Sequence, residues 1–177
     1  MNITKRLAVA LLTVSLVVII SSCGGSAMSA KSGVNNLIKL IERDNFNDVS
    51  LTIYYYPYHF SQIPWSVSFL KNYVNTYAQD YKFEVESLAF LEHADIFYKL
   101  NPSVLVPVAH KSQIDAGLYY VFEKNGRKIF DVAMSGDDDS IFVNGYEVEH
   151  NDIFYHIIIP FLPEDLAKQL EEFLSNR

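Results

Sequence analysis

Hydrophobic and polar positions are arranged differently along successive parts of the chain, and each arrangement predicts a different element. From Val34 to Ile41, apolar residues recur at helical spacing, which predicts a short amphipathic helix. Strict alternation from Val49 to Tyr56 predicts a β-strand that ends at Pro57. The first part of the domain is therefore expected to be a helix followed by a strand.

The next stretch continues this alternation of helix and strand. Pro64 is expected to open a helix that extends to Tyr77, and alternation over residues 81–85 predicts a second strand. Ser87 is expected to cap a further helix that runs to about Leu100, where Asn101-Pro102 follows.

The second half has the pattern of an antiparallel meander. Asn125-Gly126 and Asn144-Gly145 predict two hairpin turns, because these residue pairs accept the positive φ values of tight turns. The expected strands span residues 103–108, 114–123, 128–134, 141–143 and 146–149. Residues 151–159 are expected to be helical, and a closing helix that begins at Pro163 carries a stripe formed by Leu166, Leu170, Phe173 and Leu174. Together these elements predict a single α+β domain over residues 34–177.

The amino-terminal residues have the pattern of a secretory signal. Lys5 and Arg6 precede an apolar run of about 14 residues, whereas a membrane-spanning helix needs ~20. Ser21 and Ser22 follow this run and lead directly into Cys23, the chain's one cysteine.

The tetrapeptide Ile20-Ser21-Ser22-Cys23 resembles the lipobox of bacterial lipoproteins. The resemblance implies that Cys23 receives a diacylglyceryl thioether, that residues 1–22 are removed, and that residues 23–33 form a lipidated flexible tether. It also implies an extracytoplasmic protein held in the cell membrane, or in the outer membrane of a host with two membranes. An ordinary signal peptide with a chance cysteine and an uncleaved anchor are the alternatives.

Charge narrows the set of partners. The chain carries a formal charge of −7, and removing residues 1–22, which contain two basic and no acidic side chains, takes it to about −9. A negative domain disfavours nucleic acid and anionic lipid, because binding to phosphates rests on Lys and Arg. A basic envelope protein or a cation is therefore the more plausible partner.

An acidic loop and an aromatic stretch are the candidate sites. Asp137 and Asp139 are hypothesised to bind Ca²⁺ weakly, and the alternative is that they form a solvated turn. If calorimetry detects no heat of binding at millimolar Ca²⁺, the hypothesis that Ca²⁺ is a cofactor is rejected. Tyr58, His59 and Trp65 lie beyond the first strand and are hypothesised to bind a partner, against the alternative that this stretch is core.

Motifs for catalysis are not evident in the sequence. There is no Gly-x-Ser-x-Gly elbow and no phosphate-binding glycine loop, and Asp152 and His156, four residues apart, are expected to share a helix face. The leading interpretation is a non-enzymatic binding module anchored to the membrane. The alternative is an envelope hydrolase or metal-dependent enzyme that uses His59 or His156 with the Asp137 loop.

Overall fold

A computed structural model describes residues 30–40, 43, 47–57, 64–108, 112–135 and 140–176. Within these ranges it confirms the predicted α+β class, with helices, one six-stranded antiparallel sheet and a closing carboxy-terminal helix. Five of the candidate residues lie outside the described ranges: Cys23, Tyr58, His59, Asp137 and Asp139.

The elements follow one another as helix and strand before the meander begins. The strands are β1 (Val49–Tyr55), β2 (Lys82–Glu86), β3 (Ala116–Lys124), β4 (Arg127–Ser135), β5 (Ile141–Val143) and β6 (Tyr146–Val148). The helices are α1 (residues 30–40), α2 (Val67–Tyr77), α3 (Ser87–Glu92), α4 (Ala94–Phe97), α5 (Ile153–His156) and α6 (Glu164–Ser175). Short 3₁₀ turns occur at Gln79–Tyr81, Pro102–Val104 and Ile159–Phe161. None of the helices in the described ranges is both long and apolar enough to cross a bilayer.

The sheet order is β2-β1-β3-β4-β5-β6, and every neighbouring pair is antiparallel. The Asn-Gly turns lie where the sequence predicts them, with φ of 51° at Asn125 and 48° at Asn144. Their glycines have φ of 68° and 75°, a left-handed region that glycine enters without steric cost because it lacks a Cβ. The meander is thus set by local turn chemistry.

The two faces of the sheet are covered very differently. One face, called the inner face, packs against α1 and against the helices that follow β2 and β6. Its strands contribute large side chains such as Leu51, Tyr120 and Phe122, and the buried Tyr120 hydroxyl donates a hydrogen bond to the Phe154 carbonyl at 2.9 Å. This face holds most of the hydrophobic core.

The opposite face, called the outer face, is covered by α2. Leu70 and Val74 of this helix are fully buried and belong to a smaller cluster with Tyr54, Tyr119 and Val121. The helix begins at Val67 because the Ser66 hydroxyl caps it, accepting a hydrogen bond from the Phe69 N–H at 3.1 Å. The prediction that Pro64 opens α2 is therefore wrong by three residues.

Two further expectations are corrected. Instead of one helix to about Leu100, the chain forms α3 and α4, with the break at His93, and Ser87 is the first helical residue rather than the cap. The strand expected over residues 103–108 is a 3₁₀ turn followed by one bridge, Pro107 to Val148. A proline cannot donate to a strand ladder, and Asn101 caps the turn by accepting from the Ser103 N–H at 2.8 Å.

Helix α1 begins earlier than predicted and includes residues that were expected, from their composition, to belong to the tether. Residues 30–33 are helical, and Ala30 and Gly33 are buried. A Cβ on Gly33 would lie 2.6 Å from Asn144 Nδ2 and 2.9 Å from the Ile129 carbonyl oxygen. Glycine at this position therefore allows α1 to approach the backbone of β4 closely.

We expect Gly33→Ala to lower the free energy of unfolding by about 1–2 kcal/mol, although alanine is the better helix former. The cause is the clash with the Ile129 carbonyl, a backbone atom that cannot rotate away. Ser32→Ala is the matched control, because Ser32 is exposed in the same turn and its change is expected to stay within about 0.5 kcal/mol. Urea unfolding of both variants measures the difference; equal stability would contradict the close approach.

Candidate functional site

Trp65 is the candidate binding residue that lies within the described ranges, and it is held firmly in place. Its backbone N–H donates to Asp115 Oδ1 at 2.6 Å, and its carbonyl accepts from the Ala116 N–H at 2.8 Å. These two bonds tie the residue to the start of β3. Its half-buried ring is therefore positioned by the sheet rather than by a free loop.

The ring of Trp65 belongs to an aromatic network on the outer face. Tyr56 lies at the centre of the network, stacked on Trp65 with ring centroids 5.8 Å apart and an interplanar angle of 14°. Tyr73 and Tyr81 approach Tyr56 edge-on, at 5.1 Å and 5.5 Å. The hydroxyl oxygens of Tyr56 and Tyr73 are 3.4 Å apart. Such edge-to-face and offset pairs each add about 0.5–1.5 kcal/mol beyond their buried area.

A column of four rings extends from this network along α2. Its members are spaced four residues apart: Trp65, Phe69, Tyr73 and Tyr77. Consecutive centroids are separated by 4.8, 6.4 and 5.6 Å, so each ring contacts the next. Residues four apart lie on one side of a helix, which is why the spacing produces a continuous column. Together with Tyr56, these four residues are called the aromatic surface.

The outer end of the aromatic surface is open to solvent. Phe69 is 50% exposed and Tyr77 is 78% exposed. Single exposed apolar residues are ordinary on proteins, whereas Phe69 and Tyr77 are joined through contacts with Tyr73, which makes this surface a candidate interaction site. Each exposed ring leaves roughly 1 kcal/mol or more of burial free energy that a partner could recover.

The exposed part of α2 also lacks charge. Apart from the two rings, the exposed residues of this helix are Ser68, Asn72, Asn75 and Thr76. Lys71 is its single charged residue, and the Lys71 ammonium lies 5.6 Å from the ring centroids of Tyr54 and Tyr119 on the sheet. An aromatic surface with hydroxyl and amide neighbours and no exposed charge has the composition of protein-recognition surfaces.

The sequence carries a signal for this surface that lies outside the aromatic stretch preceding Trp65. The four-residue spacing of Trp65, Phe69, Tyr73 and Tyr77 was the informative pattern, because it crosses from the preceding segment into the helix.

The carboxylate of Asp152 pairs with a histidine other than the one considered from the sequence. Asp152 precedes α5, and its Oδ1 is 2.7 Å from the Nε2 of His150, two residues before it. The expected helical relation to His156 is present in the backbone, where the His156 N–H donates to the Asp152 carbonyl at 3.0 Å. His156 is exposed. Nowhere in the described ranges do three or more His, Cys, Asp or Glu side chains gather in an arrangement that could hold a metal ion.

The two sequence segments that carry the other candidates leave the sheet at the same end. Tyr55 at the end of β1 pairs with Leu118, and Ser135 at the end of β4 pairs with Ala116. The base of the acidic loop is closed by the Ser135 N–H, which donates to the Ser140 carbonyl at 3.1 Å. The same end of the sheet holds a cavity of about 240 Å³ bounded by Tyr55, Ser135 and the buried Tyr155.

The outer face beside α2 contains a polar network that is structural. Tyr119 donates to Asp131 Oδ2 at 3.1 Å, and the Lys128 ammonium is 2.9 Å from the same oxygen. Burial, reinforced by the Asp131 carboxylate, raises the pKa of Tyr119 far above its ordinary value. The phenol is thus held neutral as a hydrogen-bond donor beneath Lys71.

Comparison of the chain with family models, curated protein sequences and solved structures found no match. The function is therefore inferred from the aromatic surface and from the chemistry of its surroundings.

Proposed function

We propose that this protein is a membrane-anchored extracytoplasmic lipoprotein that acts as a non-enzymatic interaction module. The aromatic surface on α2 is its binding site. The observation that carries this proposal is the continuous ring column in which Phe69 and Tyr77 are held exposed on a rigid helix. Aromatic side chains ordered before binding lose little conformational entropy, so they are effective anchors.

The partner is a protein that offers an apolar groove to α2. Consecutive rings of the column are inclined by 59°, 16° and 48°, so they do not form one flat platform on which a sugar chain could stack. Side chains at four-residue spacing on one side of a helix instead match the pockets of a groove. The lack of charge on the exposed part of α2 likewise suits an apolar partner surface better than a basic one.

The first test places a photo-crosslinking phenylalanine analogue at position 69 or 77 of the full chain in its host cells. We expect an adduct with another protein from both positions. Positions 88 and 98 are the controls, because Leu88 on α3 and Tyr98 directly after α4 are 79% and 58% exposed, and both helices pack on the inner face. An adduct with the mass of two copies of the chain would show that α2 mediates self-association instead of binding a different protein. Equal adduct yields from the control positions would contradict the proposal.

The second test measures the affinity of the chain for the protein identified by crosslinking. We expect Phe69→Ser with Tyr77→Ser to weaken binding by about 10- to 100-fold, because both exposed anchors are removed. Leu88→Ser with Tyr98→Ser removes similarly exposed apolar side chains and is expected to leave the affinity unchanged. Because Phe69 and Tyr77 also contact neighbouring rings, their removal is expected to lower the unfolding midpoint by a few degrees. Thermal unfolding of both double variants must therefore show that each is fully folded at the temperature of the affinity measurement, so that the loss is not caused by unfolding.

Lipid attachment is tested separately at Cys23. We expect the wild-type protein to incorporate labelled palmitate and to have the mass of residues 23–177 plus the acyl groups. Cys23→Ser should abolish the label and leave the precursor uncut, since no other residue of the chain is a cysteine. A cleaved protein without lipid would show an ordinary signal peptide and would remove the membrane anchor from the proposal.

A further inference from the structure

A concentration of positive charge lies between α1 and the tip of the β3–β4 hairpin, away from the aromatic surface. Five of the fourteen Lys and Arg residues of the chain border one concavity of about 680 Å³ there. These residues are called the basic patch: Lys39, Arg43, Lys124, Arg127 and Lys128. Asn36 and Asn125 add amide donors, and Leu40 and Ile129 complete its lining. No acidic side chain lines this concavity within the described residues.

The charge of the basic patch is positive, whereas the formal charge of the whole chain is negative. With a formal charge of −7, the chain as a whole repels anions, which is what the sequence predicted. Local potential, however, is set by the charges within about a Debye length, ~8–10 Å at ordinary ionic strength. The five basic side chains outnumber the described acidic residues beside them, Asp48, Glu123 and Asp131, so the basic patch attracts anions on a chain of negative formal charge.

Part of this charge already has a structural explanation. Lys128 pairs with Asp131 on the outer face, and Lys39 and Arg43, close to the end of α1, complement the negative end of the helix dipole. Neither explanation accounts for why the basic residues near the end of α1 lie beside the basic residues at the tip of the β3–β4 hairpin. Like charges gathered on one surface repel one another, and a bound anion relieves that repulsion.

The two sides of the basic patch are fixed relative to each other. The Asn125 N–H donates to the Asp48 carbonyl at 3.0 Å, which ties the hairpin tip to the start of β1. On the other side, Val34 and Leu37 of α1 are fully buried, and Gly33 brings the helix against Ile129. The charged groups are thus carried by a preorganised frame, and a ligand is not required to assemble it.

We propose that the basic patch binds a phosphate-bearing anion with more than one charged oxygen. Exposed Lys39 and Arg127 supply the charges from the two sides, and a guanidinium such as that of Arg127 binds phosphate oxygens in a fork. The size of the concavity suits several oxygens better than one small ion. Soluble polyphosphate and the headgroup of an anionic phospholipid offer this same chemistry.

Phospholipid headgroups are within reach of the basic patch if Cys23 carries lipid, and this condition rests on the proposed function. The seven Cα-to-Cα steps from Cys23 to Ala30 span at most about 25 Å. Helix α1 adds about 15 Å from its first to its last residue. The basic patch then lies within roughly 40 Å of the bilayer surface.

The test uses the full chain in a neutral detergent and three probes. These are tripolyphosphate, dihexanoylphosphatidylglycerol with an anionic headgroup, and dihexanoylphosphatidylcholine with a zwitterionic one. We expect tripolyphosphate to shift the backbone amide resonances of Lys39, Asn125 and Arg127, and the affinity to fall as salt is added. The same shifts with phosphatidylglycerol but not phosphatidylcholine would assign the headgroup source, and shifts with tripolyphosphate alone would assign the soluble one.

A charge-matched pair of variants separates the basic patch from overall charge. Lys39→Gln with Arg127→Gln should weaken binding about tenfold or more. Lys99→Gln with Lys168→Gln removes two exposed charges elsewhere and should change it less than about twofold. Equal weakening in the two variants, or no shift with either anionic probe, would overturn the proposal. Phe69→Ser with Tyr77→Ser is expected to bind the probes normally, so failure here is distinct from failure of the partner site.

Discussion

The structure depends on the burial of β3 on both of its faces. Seven consecutive residues of this strand, Ala116–Phe122, are buried, so each face of the sheet needs a cover. The inner face is covered by α1, α3, α4, α5 and α6, whereas the outer face is covered by the eleven residues of α2. One helix buries Leu70 and Val74 but leaves the aromatic residues on its side at the surface. The candidate site is thus a direct consequence of covering a two-sided sheet with one helix.

Features set by local chemistry were predicted well from the sequence. Alternation identified β1 and β2, and the Asn-Gly pairs located both hairpins, because period and turn residues act over a few neighbours. The break at His93 and the turn at Pro102–Val104 were missed. Phe90 and Phe97 on either side of the break both pack on Phe122, so tertiary contacts override the helical pattern there.

The candidate sites were harder to predict because they join residues that are distant in sequence. Trp65 was identified, but its contact with Tyr56 requires the bonds that bring Trp65 to the start of β3. The basic patch likewise joins the end of α1 to a hairpin more than eighty residues later in the chain. Net charge is a sum over all residues and carries no information on such clustering. An acidic composition therefore describes the average surface and not each part of it.

The two surfaces are suited to different tasks because they lie on different parts of the fold. The aromatic surface belongs to the outer face, while the basic patch is built on α1, the first described element after the proposed anchor. Under the proposed function, a lipid on Cys23 alone would leave the orientation of the domain above the bilayer unrestricted. Binding of phosphate groups beside α1 would add a second attachment at high effective concentration and restrict that orientation. The rings of α2 share no residue with that attachment, so they would stay accessible to a protein partner while the domain is held near the membrane.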